Sequence, residues 1–148
     1  MKRAGYNVEL VNEYAKTLVW SERIKTFSDQ LYITAKQNHK LEMLRGQVDY
    51  VITDSPLILG IVYKGKNTVP SFNNLVIETF NSYDNFNIFL TRSKKYNPIG
   101  RNETEEQAKL VREKIHKALG DFQIPFVSEV ADDKAPKRIF DKYFLTKE

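Results

Sequence analysis

Asp49-Tyr50-Val51-Ile52-Thr53-Asp54 is a short apolar run closed by a carboxylate. Such a run suits a strand covered on both faces of a parallel sheet, where continuous burial replaces the alternation of a half-exposed strand. Three more stretches read as strands. Tyr6-Asn7-Val8-Glu9-Leu10-Val11-Asn12-Glu13 alternates and is rich in β-formers. Asn87-Ile88-Phe89-Leu90-Thr91-Arg92 and Pro125-Phe126-Val127-Ser128-Glu129-Val130 follow the same logic further along the chain.

Helical patterns fill the intervals. Residues 20–45 read as one helix with Ser28 as a cap, Ile24, Phe27, Leu31, Ala35, Leu41 and Leu44 near one face, and Gly46 as its stop. Residues 57–63 form a short apolar helix. Ser71 caps another, which carries Leu75, Val76, Thr79 and Phe80 to the core. Residues 93–101 are a basic loop containing Pro98 and Gly100. Asn102 with Glu105 has capping-box spacing for a helix striped by Ala108, Val111, Ile115 and Leu119 and ended by Gly120. A last helix covers residues 135–144. Strands alternating with helices give an α/β fold with a mainly parallel sheet of about four strands, in a single domain spanning residues 1–148.

Composition narrows the functional classes. No cysteine is present, which excludes disulfides and thiolate metal sites and fits a reducing, cytoplasmic setting. Eight tyrosines and nine phenylalanines argue against disorder. Residues 1–25 hold no signal-peptide apolar block, and no run reaches the length of a membrane span, so a membrane partner is not expected. The net charge of +4 is spread along the chain rather than clustered. That pattern favours a phosphate-bearing small molecule over nucleic acid. His39 and His116 lie mid-helix with no carboxylate or histidine at ligand spacing, and read as surface or interface residues.

Three motifs together resemble the small P-loop kinases related to the ribosylnicotinamide kinase domain and their AAA-type ATPase relatives, common in phages. Val8-Glu9-Leu10-Val11-Asn12-Glu13-Tyr14-Ala15-Lys16 is similar to that family's second strand and its carboxylate. Val51-Ile52-Thr53-Asp54-Ser55-Pro56-Leu57 is similar to its third strand and Walker-B-like turn. Arg92, with Tyr96-Asn97-Pro98-Ile99-Gly100-Arg101, is similar to its arginine-bearing lid. The chain departs from the family in one respect. A phosphate cradle needs glycines followed by Lys and Ser or Thr, and none of Gly5, Gly46, Gly60, Gly65, Gly100 and Gly120 begins that pattern. The resemblance therefore implies a P-loop NTPase-like fold whose first strand, P-loop and first helix are missing. The missing strand would lie mid-sheet, so a homodimer or partner complex is expected to fill the gap.

The resemblance assigns roles residue by residue. Glu13 would orient or deprotonate a substrate hydroxyl; as a residue alone it equally reads as a solvated helix start. Asp54 would hold magnesium through water, although an Asp-Ser-Pro turn also favours Asp for local hydrogen bonding. Arg92 and Arg101 would clamp phosphates, while Lys94 and Lys95 read as an exposed basic loop. Trp20 reads as core. Mg-ATP would be the cofactor if an intact P-loop were supplied. Two functional classes follow. One is a degenerate kinase-like domain that binds a nucleotide, a phosphate ligand or a protein partner without phosphoryl transfer. The other is an ATP-dependent kinase of a nucleoside-like substrate whose P-loop is missing from this chain.

Overall fold

The computed structural model describes residues 1–14, 28–66, 68–93 and 104–145. The chain forms two compact units, Met1–Asp84 and Asn85–Glu148. The first holds strands β1 (Val8–Val11) and β2 (Tyr50–Thr53) and helices α1 (Gln30–Glu42), α2 (Leu59–Tyr63) and α3 (Phe72–Asn81). The second holds β3 (Ile88–Arg92), α4 (Glu105–Asp121), β4 (Val127–Ala131) and α5 (Ala135–Tyr143). The protein is thus α/β, and its strands pair in parallel. The expected single sheet of about four strands is instead two sheets of two, β1 with β2 and β3 with β4.

In the first unit Val8 pairs with Tyr50 and Val11 with Thr53. Side chains alternate across a strand, so Val11 and Thr53 share the face that α1 covers, while Leu10 and Ile52 share the other. That second face is closed at Val8, 5% exposed, and open toward the strand ends, where Leu10 is 64% exposed and Ile52 47%. The expectation that β2 is covered on both faces is corrected at Ile52, while Tyr50 beside Val8 is half-buried. Asn7 fastens the entry to the pair, its N–H donating to Asp49 Oδ2 at 2.8 Å and accepting at its carbonyl from the Asp49 N–H at 2.9 Å.

The long expected helix is interrupted. Asp29 (φ −91°, ψ 75°) is non-helical and is the N-cap, accepting from the Tyr32 N–H at 3.0 Å. The cap is therefore Asp29 and not Ser28; residues 20–27, including Trp20, Ile24 and Phe27, lie outside the described residues. The buried face of α1 also differs from the expected one. Leu31 and Ala35 are exposed, and Gln30, Ile33 and Gln37 face inward. Gly46 follows the helix in the left-handed region (φ 71°), closing tight turns that begin after Glu42.

Helix α2 approaches α1 closely at Gly60. A Cβ there would lie 2.3 Å from Thr34 Oγ1, so only glycine fits without a shift. Helix α3 buries Phe72, Val76 and Phe80 at a four-residue spacing, and this row rather than Leu75 is its core face; Leu75 is exposed, and Ser71 makes no side-chain cap. Tyr83 links this end of the unit to α1. Its hydroxyl donates to Asn38 Oδ1 at 2.7 Å, and the Arg45 guanidinium stacks 4.1 Å from its ring centroid.

In the second unit the β3–β4 pair is covered on two sides. Phe89 faces α4, where the His116 ring stacks 4.0 Å away between centroids, and Glu129 faces α5 through Arg138, Lys142 and Tyr143. The capping box of α4 is built by Thr104 and Gln107, two residues later than the Asn102–Glu105 spacing had indicated; each side chain bonds the other residue's N–H, at 3.2 and 2.7 Å. Gly120 lies inside this helix. The left-handed turn after it falls on Gln123 (φ 53°). The expected apolar stripe does turn inward, ending in buried Leu119 beside Ala118.

Candidate functional site

Glu13 and Asp54 come to the same end of the first unit. Val11 pairs with Thr53, so the chain leaves β1 toward Glu13 and β2 toward Asp54 at neighbouring strand ends. These are the carboxyl ends of parallel strands, the place where open α/β sheets form ligand crevices. Asp54 is exposed and Glu13 half-buried.

Gln37 locks the two turns. It is 3% exposed on the inner face of α1. Its Oε1 accepts the Tyr14 N–H at 3.0 Å, directly after Glu13, and its Nε2 donates to Thr53 Oγ1 at 3.3 Å, directly before Asp54. Thr53 Oγ1 also accepts the Ser55 N–H at 3.1 Å, which folds the backbone around Asp54. A buried amide with both ends bonded resists loss, because either orphaned partner would sit out of water. Sequence reading missed Gln37, since a polar residue on a helix counts against the buried face. The signal available was its place four residues after Ile33, in the row that continues to Leu41.

Tyr14 extends the site outward. Its hydroxyl lies 3.0 Å from that of Tyr32, and Lys36 and Lys40 sit over the Tyr32 and Tyr14 rings at 5.6 and 5.4 Å. Lys40 Nζ also donates to the Asn12 carbonyl at 3.2 Å, a second tie between α1 and the turn that carries Glu13.

Arg92 ends β3 and belongs to the second unit. Arg101, Lys94, Lys95 and Tyr96 lie outside the described residues. The structure therefore brings Glu13 and Asp54 to one sheet end, and Arg92 to the carboxyl end of the other parallel pair. Two carboxylates are hard oxygen donors of the kind Mg2+ takes together with phosphate oxygens. Among the described residues no group of three or more His, Cys, Asp or Glu side chains could hold a metal ion unaided.

A second polar cluster, which the sequence did not signal, surrounds Glu129. Its side chain is only 8% exposed, yet it receives Lys142 Nζ at 2.9 Å, the Tyr143 hydroxyl at 2.9 Å and Arg138 Nε at 3.2 Å. The Lys142, Tyr143 and Arg138 donors hold its carboxyl down to about 2, from an ordinary 4.5. Arg138 continues to Asp132 and to the Val130 carbonyl, pinning α5 to β4. Arg138 divides its donors among Glu129, Asp132 and the Val130 carbonyl, so the cluster reads as a structural fastening. The folded chain keeps Glu129 ionised where the unfolded chain takes up a proton. Its contribution is complete above about 4.5 and is lost as pH falls toward about 2. Urea unfolding across that window is expected to show a steeper acid loss for the native protein than for Glu129→Gln. Parallel curves would contradict the assignment.

Among the described residues no helix is long and apolar enough to cross a membrane. Comparisons of the chain with family models, with curated proteins and with solved structures find no match, and the site is defined by this chain's own residues.

Proposed function

We propose that the chain is a P-loop kinase-like domain that binds a nucleotide or another phosphate-bearing ligand and does not transfer a phosphoryl group by itself. The observation that carries this reading is the pair Glu13 and Asp54 at the adjoining carboxyl ends of β1 and β2, fixed by the buried Gln37. A crevice outside the ends of parallel strands is where such folds hold ligands, and carboxylates there handle magnesium and hydroxyl groups. Arg92, at the corresponding end of β3, is the residue type that grips phosphate through a planar fork. Phosphoryl transfer depends on backbone N–H groups closing around the phosphates, and these 148 residues hold no G-x-x-x-x-G-K-[ST] loop. Binding without efficient transfer follows from that combination.

Calorimetric titration separates this reading from a self-sufficient kinase. Mg-ATP is expected to bind more weakly than the low micromolar range, which corresponds to about −8 kcal/mol, with no ADP released beyond background. Tight binding with turnover would mean that another element supplies the cradle, and the reading would be withdrawn.

A further inference from the structure

Helix α1 carries a basic face that its own sequence leaves uncompensated. Residues 30–41 contain no Asp or Glu, so neither Lys36 nor Lys40 has an acid three or four positions away. The acids that flank this stretch are committed: Asp29 accepts the Tyr32 N–H, and Glu42 receives Arg45 and the Tyr83 hydroxyl. Helices α4 and α5 instead set Lys109 with Glu105, Lys117 with Asp121 and Lys137 with Asp141, one turn apart. Two lysines four residues apart repel each other and weaken a helix. Among the described residues Lys36 contacts the Tyr32 ring, and Lys40 the Tyr14 ring and the Asn12 carbonyl; neither forms an ion pair that relieves the repulsion.

Both ammonium groups are nonetheless held in place. Tyr32, Lys36 and Lys40 recur every four residues along one face of α1, and Tyr14 meets that face from the turn after β1. Lys36 Nζ lies 5.6 Å from the Tyr32 ring centroid and Lys40 Nζ 5.4 Å from that of Tyr14. The two rings meet edge to face, with their hydroxyls 3.0 Å apart, and so join the two lysines into one cluster. A ring face holds an ammonium without neutralising it, because the attraction is to the ring quadrupole and not to a counter-charge. Pinning a long side chain beforehand also lessens the freedom it loses when it grips a ligand. The cluster borders the candidate site: Lys40 Nζ reaches the Asn12 carbonyl, in the turn that carries Glu13. Glu13 and Asp54 repel a phosphate at that strand end, and the two lysines bring matching positive charge from within the first unit.

We propose that Lys36 and Lys40, steadied by Tyr32 and Tyr14, form an anion site for a pyrophosphate-type group, with the two ammonium groups donating hydrogen bonds to its oxygens. As the phosphate-holding side of the candidate site, it rests on the ligand reading above. The anion site itself uses neither carboxylate, so it can be tested without magnesium.

Titration of the full chain with sodium pyrophosphate in EDTA, followed through lysine Cε and amide chemical shifts, provides the test. Saturable shifts are expected at Tyr32, Lys36 and Lys40, with a dissociation constant in the millimolar range that weakens as salt rises. Lys36→Gln with Lys40→Gln is expected to weaken binding about tenfold or more, and Lys36→Arg with Lys40→Arg to keep it, because guanidinium retains both the charge and the ring contact. Lys36 is exposed and bonds no backbone group, so Lys36→Gln alone is expected to weaken binding with an unchanged unfolding midpoint. Glu13→Gln with Asp54→Asn is expected to bind magnesium-free pyrophosphate at least as tightly, because two negative charges leave the strand end. Loss of a magnesium response alone would thus remove the carboxylate site and leave the lysine site standing. The proposal is overturned by an absence of saturable shifts at Lys36 and Lys40, by glutamine variants of native affinity, or by arginine variants as weak as the glutamine ones.

Discussion

Replacing Gln37 with Leu is expected to lower the stability of the first unit by about 2–4 kcal/mol and to loosen the candidate site at the same time. The side chain is buried and spans two otherwise separate partners, the Tyr14 N–H and Thr53 Oγ1. An orphaned buried donor costs about 1–3 kcal/mol, and the lost bond to Thr53 adds roughly 1 kcal/mol. Leucine matches the volume but satisfies neither group. Glutamate is the informative contrast, because its carboxylate can still accept from the Tyr14 N–H but cannot donate to Thr53. Urea unfolding should rank the native protein above Gln37→Glu and that above Gln37→Leu. Hydrogen exchange at the Tyr14 amide should accelerate most in the leucine variant. Equal stability of all three would mean that Gln37 packs without fastening the two strand ends.

The largest single loss is expected at Phe72, which is 1% exposed and begins the row Phe72, Val76 and Phe80 along α3. Its ring also lines the close approach at Gly60, with Cζ 3.4 Å from where a Cβ would stand. Phe72→Ala removes the ring and leaves a void that the helices on either side cannot fill, at a cost of about 3–5 kcal/mol. A small domain has roughly 5–15 kcal/mol in total, so this substitution alone should bring the unit near unfolding. Phe72→Leu keeps most of the volume and should cost about 1 kcal/mol or little more. Denaturation midpoints for the two variants check the difference; a cost below about 1 kcal/mol for alanine would place Phe72 outside the core.

Much of this architecture is legible before any coordinates. The run from Tyr50 to Thr53 announces a strand because it is apolar and short and is followed by Asp54-Ser55-Pro56, and β3 announces itself in the same way. The alternation of strands and helices then fixes parallel pairing, since each connection must cross over. Pairing partners are a different matter. They depend on which edges meet, and nothing local in Ile88-Phe89-Leu90 states that its neighbour is β4 rather than β2. The helix α1 shows a second kind of failure. Its buried face includes Gln30 and Gln37, so a search for apolar periodicity settles on Leu31 and Ala35, which are exposed.

Glu129 is missed for the same reason, because alternation along β4 assigns a charged residue to solvent. Burial of a carboxylate requires three donors from α5, and their convergence is a property of the folded chain. The candidate site divides similarly. Glu13 and Asp54 are visible as carboxylates that end strands, and their common location follows from the register of Val11 with Thr53. The buried amide that holds them in place is visible only in three dimensions.

The central claim, that the carboxyl ends of β1 and β2 form a binding site for a phosphate-bearing ligand, is tested most directly by amide chemical-shift mapping during titration with magnesium pyrophosphate. The account predicts saturable shifts concentrated at Glu13, Tyr14, Asp54 and Ser55, with a dissociation constant in the millimolar range or tighter, about −4 kcal/mol or more favourable. The same titration of Asp54→Asn with Glu13→Gln should lose most of them. Shifts that never saturate, or that centre on Arg138 and Lys142 while Glu13 and Asp54 stay still, would contradict it.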